Sequence, residues 1–227
     1  MSELFSIQLQ NRQQQGRDGV WLDLPTTTEQ VQAALRQIGI SSDNPQGLFI
    51  SGYFAEEEKR FAIPYNMVLA SNVDELNFLA SRLETLSTGE RAELNAALQA
   101  PQSELFSIGR ITDFPENVDY YVHLPDVRGP AQLGDYYLNR SGMVDMPEEW
   151  KGGIDTAQFG RYVAQQEQGV FTEYGYLVKS GDAWQKVHEG QPVPEEYRVL
   201  SFPAPEILRD AANIPPPVQP ETEPQKV

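Results

Sequence analysis

Catalysis needs a nucleophile, a proton shuttle or a metal held among suitable donors, and the residues that supply these are scarce in this chain. Cysteine is absent and histidine occurs twice, as His123 and His188. The two stand far apart, with no further imidazole or thiolate to complete a metal set, so each reads as a core or surface residue. There is no glycine-rich phosphate loop, no dinucleotide-binding glycine pattern, no H-E-x-x-H and no acidic calcium loop. Carboxylates are the abundant reactive group: 33 Asp and Glu face 17 Lys and Arg, for a formal charge of -16 at pH 7. Two acids at the right separation suffice for glycoside hydrolysis, and Glu148 with Glu149, or Asp135 with Asp145, are pairs that could be nominated. Nothing in the pattern marks either as a cleft pair. The expectation is a protein that is not an enzyme and holds no metal or cofactor.

A charge so far from zero makes a folded chain repel itself and points to a strongly basic partner. The surplus is greatest over residues 101–155, where ten acids face four bases, so ordered elements rather than a terminal tail must carry it. No basic stripe is visible, which argues against direct binding to nucleic acid, whose phosphates are held by Lys and Arg. The carboxylates themselves read as the working surface, placed where phosphates would stand before a DNA-binding enzyme. With 40% hydrophobic and 10% aromatic residues the chain has enough apolar material to fold. The first residues lack a basic segment followed by an apolar run, no stretch approaches the ~20 apolar residues of a membrane span, and cysteine is absent. A cytoplasmic protein that does not touch the membrane is expected.

Alternation over residues 3–9 predicts a strand, followed by a second at Val20-Trp21-Leu22 and a third over Leu48–Phe54. Thr26-x-x-Glu29 reads as a capping box opening a helix that buries Val31, Ala34, Leu35 and Ile38 and stops at Gly39. Asn72-x-x-Glu75 and Ser87-x-x-Glu90 predict two more helices, the first with Leu76, Leu79, Leu83 and Leu86 on one stripe. Further on come a strand over 118–123, a helix over 130–140 ending at Gly142, and a helix capped by Asp155. Residues 170–178 read as one long strand, followed by a hairpin through Ser180-Gly181-Asp182 and a possible strand at 197–202. The hexapeptide Ser-Glu-Leu-Phe-Ser-Ile occurs at 2–7 and 103–108, but no sustained period follows, so no duplication is inferred. The expected fold class is α+β: an N-terminal α+β domain over 1–64, a helical middle domain over 65–112, an α+β third domain with a C-terminal hairpin over 113–202, and a Pro-rich tail over 203–227.

Several blocks occur in order along the chain: Gly19-Val20-Trp21-Leu22-Asp23-Leu24-Pro25, Leu48-Phe49-Ile50-Ser51-Gly52-Tyr53, Asn72 through Leu83, Leu133-Gly134-Asp135-Tyr136-Tyr137, Ile154 through Arg161, and Phe171 through Tyr176. Together they resemble the ArdA antirestriction protein family over roughly residues 18–178. The resemblance implies a product of mobile elements, such as conjugative transposons and plasmids, that blocks type I restriction-modification enzymes by imitating B-form DNA. It also implies an elongated molecule of three small domains, a homodimer, and an antirestriction motif from Leu133 to Pro147 tied to dimerisation. In this sequence that motif comprises Leu133, Gly134, Asp135, Tyr136, Tyr137, Met143 and Pro147. The chain departs from the family at Asn139 and Arg140, where glutamates are frequent, and in the residues after Tyr176.

Duplex DNA carries one negative charge per ~1.7 Å of axis, so two copies of this chain match the charge of roughly sixteen base pairs. The carboxylates expected to be exposed and to act as phosphate stand-ins are Glu56, Glu57, Glu58, Asp113, Glu116, Asp119, Asp126, Asp135, Asp145, Glu148 and Glu149. The expected partner is the methyltransferase core of a type I restriction-modification enzyme. The alternative is an acidic adaptor of a conjugative element that binds another basic DNA-processing protein.

Overall fold

A computed structural model describes residues 3–14, 18–41, 46–56, 61–101 and 103–200. The first sheet is built from β1 (Phe5–Asn11), β2 (Val20–Leu24) and β3 (Leu48–Phe54), antiparallel in the order β2-β1-β3. Ile7 faces Leu22 on one side and Tyr53 on the other. Between Gln8 and Leu9 the register to β3 slips by one residue, a bulge that sharpens the local twist. Helix α1 (Thr28–Gln37) covers the inner face with Val31, Ala34 and Leu35. Its capping box is Thr27 with Gln30, one residue later than the sequence suggested. Thr26 is buried and spent elsewhere: its N–H donates to Asn77 Oδ1 at 2.7 Å and its hydroxyl bonds Gln30 at 3.0 Å.

A short α2 (Tyr65–Leu69) leads into α3 (Val73–Glu84) and α4 (Thr88–Gln99), which start at Asn72 and Ser87 with both reciprocal capping boxes formed. Leu76, Leu79, Leu83 and Leu94 are fully buried, as a period-3.6 stripe requires. The brief α5 (Ile108–Thr112) and two 3₁₀ turns precede β4 (Tyr121–Leu124), so the strand read at 118–123 starts three residues late. Helix α6 (Pro130–Asp135) runs into one π-helical turn over Tyr136–Arg140, and Gly142 follows at φ +69. After α7 (Glu148–Lys151), Asp155 caps α8 (Thr156–Glu167). The presumed long strand over 170–178 is instead a hairpin, β5 (Val170–Thr172) and β6 (Gly175–Lys179), giving a second antiparallel sheet in the order β4-β6-β5. The fold-back comes at Glu173-Tyr174, where Gly175 takes φ +128 close against the backbone of Leu124 and Pro125.

Residues 180–200 form no added hairpin, and the strand read at 197–202 is absent from its described part. They make an irregular strap with one 3₁₀ turn at Glu195–Tyr197. The physical reason is that the strap's backbone is satisfied by helix side chains instead of a strand partner. Asp113 accepts the N–H groups of His188 at 2.6 Å and Glu189 at 3.3 Å. Asp74 accepts those of Val199 and Leu200 at 2.7 and 2.8 Å. Asn117 receives Gln185 N–H at 2.7 Å and donates to its carbonyl at 3.0 Å, and Asn77 donates to the Tyr197 carbonyl at 3.0 Å. One buried cluster runs from Leu4 through the leucines of α3 and α4 to Val199, and a smaller one gathers Val127, Leu133 and Tyr176. The Pro-rich tail over 203–227, Glu57 and Glu58 lie outside the described residues.

Candidate functional site

The carboxylates divide by what their oxygens already hold. Asp113 was expected on the surface and is instead fully buried. Both its oxygens accept strap N–H groups, so it is a structural anchor with nothing left for a partner. Glu116 is half-buried against the Arg82 guanidinium, with His188 Nε2 at 4.0 Å from the same oxygen. Glu104, which sequence reasoning passed over, gathers Arg110 at 3.3 Å, Lys179 at 2.9 Å and the Tyr120 hydroxyl at 3.2 Å. The bond from Lys179 holds its carboxyl below the usual range. Glu189 likewise meets Arg110 at 2.8 Å and Lys186 at 3.3 Å.

Around β4 and α6 the picture changes. Asp119, Asp126, Asp145 and Glu149 are exposed and make no ion pair among the described residues. Glu56, at the end of β3, is exposed too. Glu148 pairs with Lys151 at 2.6 Å on the same short helix. Asp135 is covered by two neighbours on the next turn: Asn139 donates to it at 2.8 Å and Arg140 at 3.0 Å. Asn139 and Arg140 therefore mask a neighbouring carboxylate.

The segment from Leu133 to Pro147 is positioned by close helix packing. A Cβ on Gly134 would collide with the carbonyl oxygen of Thr156, and one on Gly160 with that of Pro130, so α6 and α8 touch backbone to backbone. Leu133 is fully buried between them. The hydroxyls of Tyr137 and Tyr176 donate to the two oxygens of Glu167 at 2.5 and 3.0 Å. Burial first, and then the bond to Glu167, push both phenols well above their ordinary range. Tyr136 packs edge-on against Tyr137. Met143, 75% exposed, and Pro147 sit beyond the helix on the surface. Glu167 carried no sequence signal, because only the fold brings it to Tyr137.

One further acid stands out. Glu93 on α4 has a buried oxygen with no partner, and burial, then Glu90, then Asp119, raise its carboxyl to about 8. The histidines belong to the framework: His123 Nε2 lies 2.9 Å from the Tyr174 carbonyl, and His188 packs edge-on against Phe78. Among the described residues no group of three or more His, Asp or Glu could hold a metal, and no helix is long and apolar enough to cross a membrane.

The family model described as antirestriction protein (ArdA) matches residues 15–178. The chain belongs to the ArdA antirestriction family. Membership implies an antirestriction role as an inhibitor protein, and with it an encounter with restriction-modification enzymes. No curated protein matches the sequence. The ArdA match takes in β2 and β3 but not β1, all of the second sheet except the last residue of β6, and the tyrosine pair on Glu167. The strap that Asp113 and Asp74 hold lies beyond it.

Proposed function

We propose that this ArdA protein inhibits a type I restriction-modification enzyme by occupying the DNA groove of its methyltransferase core as a DNA mimic, in the cytoplasm and as a homodimer. The observation that carries the reading is the set of exposed carboxylates without ion pairs, Asp119, Asp126, Asp145 and Glu149, in the most acidic part of a family member. Each can meet a Lys or Arg of the groove and release its counterions, as a phosphate does. Glu56, Glu57 and Glu58 are proposed to belong to the same phosphate-like set. The homodimer is proposed to form through the Leu133–Pro147 segment, beside which Met143 and Trp150 stand 75% and 66% exposed. The energy is spread over many weak contacts, so no single carboxylate dominates.

Gel-shift competition between this protein and a DNA duplex for a type I methyltransferase tests the reading. Displacement of DNA is expected at low salt, weakening as salt rises. Failure to displace DNA at low salt, at any protein concentration, overturns it.

A further inference from the structure

Between α3, α5 and the strap lies a cleft of about 660 Å³, the size of a ligand or peptide side-chain site. Its apolar lining includes Phe78, Ile108 and Val193, while Glu75 and Glu189 supply carboxylates, and no Lys or Arg is among the residues that line it. Phe106 stands at the cleft 63% exposed. One wall is the strap, residues 188–193, fixed by the two N–H bonds to Asp113 and by the approach of Glu189 to Gly109, where an added Cβ would come within 3.3 Å of Glu189 Cα. The cleft is thus a built feature, one wall of it supplied by chain outside the ArdA match.

Its chemistry selects the occupant. The absence of lining cations disfavours an anion, and an apolar floor with aromatic rings and carboxylates suits a long side chain with a charged head. The surroundings of Phe106 already hold one guanidinium, that of Arg110, 4.9 Å from the ring centre. The charge of Glu189 is already balanced by Arg110 and Lys186 at its Oε2, whereas Glu75 faces no cation among the described residues and makes one 3.4 Å bond, from the N–H of Asn72. Glu75 is therefore the carboxylate with capacity for a new partner.

We propose that this cleft receives an Arg or Lys, flanked by apolar residues, from a protein segment of the partner. Resting on the antirestriction reading for its source, that segment is one that the restriction-modification enzyme presents to DNA. Side chains that read DNA protrude into its grooves, and a mimic must offer a recess where they can go.

The test uses the full-length protein and acetyl-Leu-Arg-Leu-amide, with the citrulline analogue as neutral control, followed by amide NMR. The arginine peptide is expected to shift Glu75, Phe106 and Gln191, and to bind at least about fivefold tighter than the citrulline peptide, the scale of one partly exposed ion pair. Glu75→Gln, which keeps the capping box because glutamine also serves there, is expected to erase that fivefold preference. Ala70→Trp, at an exposed lining position, is expected to abolish binding of both peptides. Equal binding of the two peptides, or no shift at the cleft, overturns the inference. Failure of the parent reading is seen separately, as wild-type protein that does not displace DNA from the methyltransferase.

Discussion

The strap and the helices beneath it differ from the α6–α8 lobe in how they use the same residue type. Under the strap, Glu75 apart, carboxylates are consumed: Asp113 and Asp74 hold backbone N–H groups, and Glu104, Glu116 and Glu189 hold guanidinium or ammonium groups. Around the lobe, Asp126, Asp145 and Glu149 stand in solvent without such partners, and packing is left to glycines and tyrosines. A formal charge counts both kinds alike. A basic partner meets only the second kind, because an oxygen already bonded to an N–H must give that bond up before it can accept another.

The largest effect that would break this contrast is expected at Asp113. Replacement by alanine strands two half-buried N–H groups and removes two charge-assisted bonds, a loss of about 2–4 kcal/mol, read as a shift in the urea midpoint. Competition for DNA per folded molecule should fall no further than it does in Ala70→Trp, since Asp113 faces no partner itself and acts only through the cleft wall it fixes. Next comes Gly134→Ala, which forces α6 off the Thr156 carbonyl and should cost about 3 kcal/mol, checked by the same denaturation. In the opposite sense, reversing Asp126, Asp145 and Glu149 together to lysine should leave the urea midpoint in place while weakening DNA competition about 10- to 100-fold at low salt, with each single Asp→Asn or Glu→Gln change below about twofold.

The last effect depends on pH and belongs to Glu93, which sits between the two regimes. Its folded carboxyl titrates near 8 against an ordinary 4.5, so the folded state keeps a proton that the unfolded state has lost. Stability therefore falls as pH rises from about 4.5 to about 8, and the loss is complete above that. Glu93→Gln should flatten this slope and raise the melting temperature at pH 9, while at pH 4 the two proteins should melt together.

Much of the framework was legible because its causes are local. Asn72 with Glu75 and Ser87 with Glu90 announce α3 and α4 through capping geometry, alternation announces β1, and an apolar, strand-prone run announces β3. The α1 cap moved by one residue because Thr26 is claimed by Asn77, on a different element. The strap was misread for the same kind of reason: its order comes from Asp74, Asn77, Asp113 and Asn117, bonds that span much of the chain and leave no periodic trace. The carboxylate surface was read by type, and type alone does not separate Asp113 from Asp119, which lie a few residues apart. Family motifs located the Leu133–Pro147 segment, yet nothing in them pointed to Glu167 as the residue that Tyr137 grips.

Asn77 has a consequence for how the molecule behaves when cut. Its carboxamide takes the Thr26 N–H with its oxygen and gives a hydrogen to the Tyr197 carbonyl with its nitrogen, so the exit of β2 and the far end of the strap are fastened to one turn of α3. A protease nick at the exposed Gly181 or Asp182 severs the covalent link without loosening that clasp. The two fragments should elute together from a sizing column and part only once denaturant is added.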